Sequence, residues 1–281
     1  KIKFLFSPKK VGHTGTLDPM ATGLLPICLG EATKFSRFLL NADKTYEALI
    51  KLGYKSSTGD SEGKIVKQSI ENIPSLTVIK KVLLKFRGQI DQIPPMYSAL
   101  KHKGKPLYLY ARKGVEIKRT KRKVTIYAIE ILDFYEDKLK LKIKCSKGTY
   151  IRTLAEDIGA QLNIGGYLLD LVRTDIGHLN IKKALKIEEI EKLKNENKKE
   201  ILMPMEALLS DFKKIKLNIK EENDLKDGKI INKIKKLSGQ YRLFGKGNKF
   251  IGLGEVDEKE NLKVLRLISQ MDKWFKYLLL N

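Results

Sequence analysis

The chain has 281 residues, enough for one large domain and a smaller one, and 42% of them are hydrophobic, which excludes global disorder. Its 56 basic and 33 acidic residues leave a formal net charge of +23, which points to a polyanionic partner, nucleic acid first. Cys28 and Cys145 lie outside any CxxC and read as free thiols in a reducing compartment, no apolar run is long enough to span a bilayer, and KIKFLF lacks the cleavage site of a signal peptide.

In chain order, residues 12–34 (GHTGTLDPMATGLLPICLGEATK) open with a loop of glycine, threonine and proline that carries Asp18. Residues 31–40 read as a short helix with Ala32, Phe35 and Leu39 on one face. Residues 45–54 alternate as a strand, with Tyr46, Ala48, Ile50, Leu52 and Tyr54 pointing one way, and 56–63 form a polar loop. Residues 77–88 predict an amphipathic helix with Val78, Val82 and Phe86 stacked and Gly88 closing it. Pro94 and Pro95 stiffen a loop over 92–105. Strands are expected at 123–134 and 138–145 across a tight acidic turn, a helix at 148–162, and another strand at 167–176 after Gly165-Gly166. Beyond Ile181 the segment 182–200 is charged and helical, and a tail of short strands follows Met203-Pro204, with a hairpin over 249–267. The aromatic and leucine residues of 271–281 are expected to dock as a helix. The boundaries drawn are 1–204 for the main domain, 205–270 for a small β-rich module and 271–281 for a tail.

Few residues in this pattern carry chemistry. Asp18 precedes Pro19, which holds it in extended geometry, and nearby glycines let a ligand approach the backbone. A lone Asp-Pro is usually a turn cap. Arg152, at the start of a helix in KGTYIRT, offers a planar fork that would keep a neighbouring carboxylate ionised and nucleophilic, although the sequence cannot show that the two meet. Tyr46 and Tyr150 suit either core packing or stacking on a base. His13, His102 and His178 have no metal-ligand spacing, and there is no GxGxxG, P-loop or HExxH, so neither metal nor cofactor is expected.

Residues 12–34 resemble the catalytic motif of the TruB family of tRNA pseudouridine synthases. KTYEALIKLG, QIPPMYSALKHKGKPLYLYARKG, CSKGTYIRTLAEDIG and GGYLLDLVRT follow in the family's order, so the resemblance spans most of 11–174, and FIGLGEV resembles the end of its PUA-like RNA-binding module. The resemblance implies an α+β pseudouridine synthase fold with a mixed, mostly antiparallel sheet. It implies that Asp18 is the nucleophile, that Tyr46 stacks on the flipped base and assists proton removal, and that Arg152 pairs with the aspartate. His13, Tyr150 and Leu171 would line the pocket or hold displaced nucleotides. The expected activity is isomerisation of the TΨC-loop uridine of tRNA, numbered 55 by convention, at the tRNA elbow. It would need no cofactor, guide RNA or membrane, in a cytoplasmic monomer. Attack by Asp18 on the sugar and on the base ring both remain open. The alternatives are a tRNA-folding chaperone without chemistry and, less in keeping with the short tail, a guide-dependent relative of the dyskerin type. The family opens with a strand and a lysine-proline-glycine motif, whereas only KIKFLFSPKK precedes the main motif here, so a further N-terminal segment is expected.

Overall fold

Alternating apolar positions dominate the middle of the chain, and there they build a sheet. The computed structural model describes residues 1–69, 72–194, 196–269 and 276–280. The chain divides into two compact units, one of Leu17–Leu24 and Asn41–Lys182, the other of Lys1–Thr16, Leu25–Leu40 and Lys183–Asn281.

The first unit holds β1 (Thr22–Gly23), β2 (Lys44–Leu52), α1 (Leu76–Leu84), β3 (Gly88–Gln92), β4 (Arg122–Tyr135), β5 (Lys138–Cys145), α2 (Ile151–Gln161), β6 (Gly166–Ile176) and β7 (Leu179–Asn180). The seven strands form one sheet in the order β7-β6-β2-β5-β4-β3, with β1 alongside β6. Only β1 and β6 run parallel, so the sheet is mixed and mostly antiparallel as expected. Ala48, Ile50 and Leu52 of β2 are buried with Leu139, Leu141, Ile143 and Cys145 of β5. Ile151, Leu154, Ala155 and Ile158 of α2 join this core at helical spacing. Each fully buried aliphatic side chain contributes roughly 1.5–3 kcal/mol.

One expectation changes here. Helix α1 ends at Leu84 rather than at Gly88, which opens β3 at a φ of 88°. Its buried residues are Ile79, Val82 and Leu83, followed by Phe86, while Val78 is 45% exposed. A row at i, i+4 and i+8 drifts by about 80° around a 3.6-residue helix, so the i, i+3, i+4, i+7 set defines the buried face. Strand β6 carries register shifts between Leu168 and Asp170 and between Arg173 and Asp175. The first switches parity, so that Leu168 lies opposite Ile50 but Leu171 opposite Ala48 and Arg173 opposite Tyr46.

In the second unit, Val11–His13, Leu25–Leu29, Lys276–Leu280 and Met203–Pro204 form a four-stranded sheet in that order. The expected docking helix over 271–281 is therefore corrected: Lys276–Leu280 is a strand, with Leu278 opposite Ile27 and Leu280 opposite Leu25. Leu25–Leu29 needs a partner for its second edge, and an extended segment that buries Leu278 and Leu279 supplies one. Residues 271–275 and 281 of that expectation lie outside the described residues. A second sheet runs Lys213–Lys216, Gly239–Phe244, Phe250–Val256, Leu262–Leu267. Its last two strands are the hairpin expected over 249–267, and Ile215, Leu225, Tyr241, Leu243 and Leu262 fill its core. Residues 30–40 form a 3₁₀ turn, Gly30–Phe35, that runs into the helix Ser36–Leu40, with Ala32, Phe35 and Leu39 buried as their spacing predicts.

Candidate active site

Asp18 sits in a tight turn closed by the Ala21 N–H, which donates to the Asp18 carbonyl at 2.9 Å. With Pro19 fixing the next φ, the turn presents the carboxylate away from its own backbone. Arg152 meets it from the first turn of α2: Nε donates to Oδ2 at 2.8 Å and Nη2 to Oδ1 at 3.1 Å. This is the bidentate fork for which arginine is suited and lysine is not.

Arg152 is only 3% exposed, and a buried cation is tolerated when its donors are filled. Nη2 also donates to the Tyr97 carbonyl at 2.8 Å, Nη1 donates to the Thr58 carbonyl at 3.3 Å, and Nη1 lies 3.1 Å from Asp60 Oδ2. Four of the five guanidinium N–H donors thus make hydrogen bonds, and the second Nη1 position faces the Asp60 carboxylate as an ion pair. Arg152 is thus locked in one rotamer between two carboxylates, one partly open to solvent and one buried.

Asp60 is a residue of this site that the sequence reading missed. It lies in the segment read as a polar loop, yet it is 2% exposed. Its Oδ1 accepts from Thr58 Oγ1 and from the Glu62 N–H, leaving Oδ2 for Arg152. The only available signal was Thr58-Gly59-Asp60 itself, a short polar cluster able to satisfy its own backbone. Gln92 was also missed. Its buried amide accepts from the Tyr150 N–H at 3.0 Å and donates to the Tyr150 carbonyl at 3.2 Å, which fixes the residue before α2.

Tyr46 stands on β2 next to Ile143 of β5 and Arg173 of β6. Its side chain hydrogen-bonds with Arg173, and burial pushes the phenol up to about 12 while the Arg173 cation opposes the rise. Tyr150 is half-buried, its phenol also raised by burial. Leu171 is buried in the sheet core opposite Ala48. The structure thus brings Asp18, Arg152 and Asp60 together and places Tyr46, Tyr150 and Leu171 within the same unit. His13 belongs to the other unit, exposed on its strand, with Nδ1 accepting from the Gly15 N–H at 3.4 Å. Among the described residues no group of His, Cys, Asp and Glu could hold a metal ion, and no helix is long and apolar enough to cross a membrane.

Residues 3–151 match the family model for the N-terminal domain of the TruB family of pseudouridylate synthases. Residues 152–210 match the tRNA pseudouridylate synthase B C-terminal domain, and 214–268 the C-terminal region of pseudouridine synthase II TruB. The chain is 47% identical over 265 residues to the tRNA pseudouridine synthase B of Azoarcus sp., covering 94% of this chain and 87% of that one. The chain belongs to the TruB family.

The synthase of the same description from Aromatoleum aromaticum is 45% identical, with 94% of this chain and 85% of that one covered. Among solved structures, a chain from the crystal structure of a Cbf5-Nop10-Gar1 complex superposes with a TM-score of 0.70 at 22% identity, over 98% of this chain and 80% of that one. At that identity the likeness concerns the fold, and it bears out the α+β TruB architecture with its further C-terminal domain.

Proposed function

We propose that this TruB family chain is a tRNA pseudouridine synthase that isomerises the TΨC-loop uridine at position 55, with Asp18 as the nucleophile. The observation that carries the reading is the bidentate Asp18–Arg152 pair, held by a buried guanidinium that also binds two backbone carbonyls and faces Asp60. The fork holds the Asp18 carboxyl group in one position and orientation, as a nucleophile aimed at a bound substrate requires.

The reaction breaks the N1–C1′ bond of uridine, forms a C5–C1′ bond with the same base, and moves one proton from C5 to N1. No atom or electron is gained or lost, so the chemistry needs no cofactor. Attack by Asp18 on the sugar or on the ring makes the same demands: an ionised carboxylate, a pocket that retains uracil, and an acceptor for the C5 proton. In this reading Arg152 holds Asp18, and Tyr46 stacks on the base and assists proton removal. His13, Tyr150 and Leu171 contact the substrate. The base leaves its stack at a cost of about a few kcal/mol, offset by basic side chains on the phosphate backbone. The chain acts on bare tRNA, as a cytoplasmic monomer without guide RNA, and residues 205–270 form a PUA-like RNA-binding module beside a catalytic domain over 1–204.

Pseudouridine mapping on an unmodified tRNA transcript tests this. Wild type modifies the T-loop uridine, and Asp18→Asn binds the same tRNA without modifying it. Turnover by Asp18→Asn above a trace would remove the nucleophile assignment. Binding by both proteins with turnover by neither would favour a chaperone.

A further inference from the structure

We propose that Arg173 is a positioning residue for this reaction: its guanidinium fixes the phenol oxygen of Tyr46 against the outgoing arm of the Asp18 loop and stabilises negative charge formed on that oxygen. The inference rests on the reading of Tyr46 as the group that assists removal of the C5 proton.

Among the described residues Arg173 is the bulkiest fully buried side chain. A cation inside a sheet costs several kcal/mol unless its surroundings compensate, so its placement calls for a reason. Three contacts tie it to both sides of the site. Arg173 lies directly opposite Tyr46 in the ladder, and the two side chains hydrogen-bond. Its Nε donates to the Leu24 carbonyl at 2.9 Å. Its own carbonyl accepts from the Leu24 N–H at 2.8 Å. The backbone approach requires Gly23, which has a φ of +102° and where a Cβ would fall 2.4 Å from the Arg173 oxygen. One residue therefore joins the arm that follows Asp18 to the phenol of Tyr46.

The charged or titratable groups around that phenol are Arg173 on β6, Asp18 on its loop and Cys145 on β5. The Cys145 thiol is itself pushed up to about 12 by burial and stays neutral. Burial and Asp18 both disfavour a phenolate, and Arg173 is the cation that favours one. In the proton step, the C5–H electron pair returns to the ring as the C5–C6 double bond. The proton passes to the Tyr46 oxygen, previously ionised by loss of its own proton to water, and later leaves to water. The exchange balances without a further reactant.

The test measures single-turnover rates on unmodified tRNA for Arg173→Met and Arg173→Lys, each in the Tyr46 and Tyr46→Phe backgrounds. Tyr46→Phe and Arg173→Met are each expected to slow the chemical step by about 100-fold. Their combination should be within about threefold of Tyr46→Phe alone, because both remove one shared contact. Arg173→Lys, which keeps a cation, should regain part of the loss, with tRNA affinity near wild type throughout. If Arg173→Met does not fold, Arg173→Lys gives the same comparison. Fluorine NMR of 3-fluorotyrosine at position 46 reads the contact without turnover: the ring should ionise at higher pH in Arg173→Met than in wild type, with Arg173→Lys between them. Equal losses from the Arg173 change in both backgrounds, or an unmoved fluorotyrosine titration, would overturn the role of Arg173 alone. A Tyr46→Phe enzyme at the wild-type rate would instead remove the reading of Tyr46, and this inference with it.

Discussion

The loop-and-helix site around Arg152 and the C-terminal sheet from Lys213 to Leu267 use charge in opposite ways. In the site, one buried guanidinium holds two carboxylates and two carbonyls. Around the C-terminal sheet the ion pairs lie on the rim: Lys263 meets Glu255 at 3.0 Å, and Lys229 meets Asp224 at 2.8 Å, all four side chains more than a quarter exposed. The same residue types therefore do different work. A buried, hydrogen-bonded pair cannot be broken without stranding its partner, whereas water replaces a rim partner at little cost. The first arrangement specifies a geometry, and the second keeps a surface solvated.

The largest effect should come from Arg152→Met, which strands Asp18 and Asp60 together. Breaking a buried pair costs about 3–5 kcal/mol, so denaturant midpoints should fall by that equivalent and pseudouridine formation should cease. A loss below about 1 kcal/mol would mean that the site is no more demanding than the rim, and the contrast would fail. Next, Asp60→Ala leaves Arg152 Nη1 with a carbonyl only, and should cost about 1–3 kcal/mol. Turnover should fall while tRNA affinity holds, since Asp60 is buried and Asp18 is the partly open carboxylate.

Lys44 sharpens the comparison through pH. It is buried at the start of β2, donates to the Ala42 carbonyl, and desolvation lowers its ammonium to about 8. A lysine that holds its proton less tightly when folded penalises the folded state while protonated. Stability should therefore rise as pH increases from about 8 towards its ordinary value of 10.5. Lys44→Met should flatten that rise, by on the order of 1–3 kcal/mol across the window. Unfolding curves of the two proteins at pH 7.5 and 10 would show it, and equal pH slopes would contradict it.

These contrasts also explain what the sequence made legible. Alternation gave β2 and β5, and helical spacing gave α2, because a buried face leaves a period. The motif around Asp18 and the KGTYIRT segment pointed to the Asp18–Arg152 pair across 134 residues through resemblance, not through local pattern. Asp60 was hidden because burial of a polar residue depends on partners elsewhere in the chain, and SSTGDSEG has the composition of an exposed loop. Arg173 was hidden by the register shift in β6, which puts it, with Leu171, on the face of Leu168 against the count of alternate residues. The strand Lys276–Leu280 was read as a helix because its pairing partner, Leu25–Leu29, lies at the other end of the chain.

The smallest effect closes the comparison from the other side. Glu255→Gln removes the charge opposite Lys263 but leaves a polar side chain in the same ladder position. Both partners are exposed to water, Glu255 at 35% and Lys263 at 53%, so solvent and salt already screen most of their attraction. The expected loss is below about 0.5 kcal/mol, and less at high salt than at low. Turnover on tRNA should stay at the wild-type rate. Denaturant midpoints measured at two ionic strengths decide the point. If Glu255→Gln cost as much as Asp60→Ala and the cost persisted in salt, the rim pair would be structural, and exposure would be the wrong guide to which charges this fold depends on.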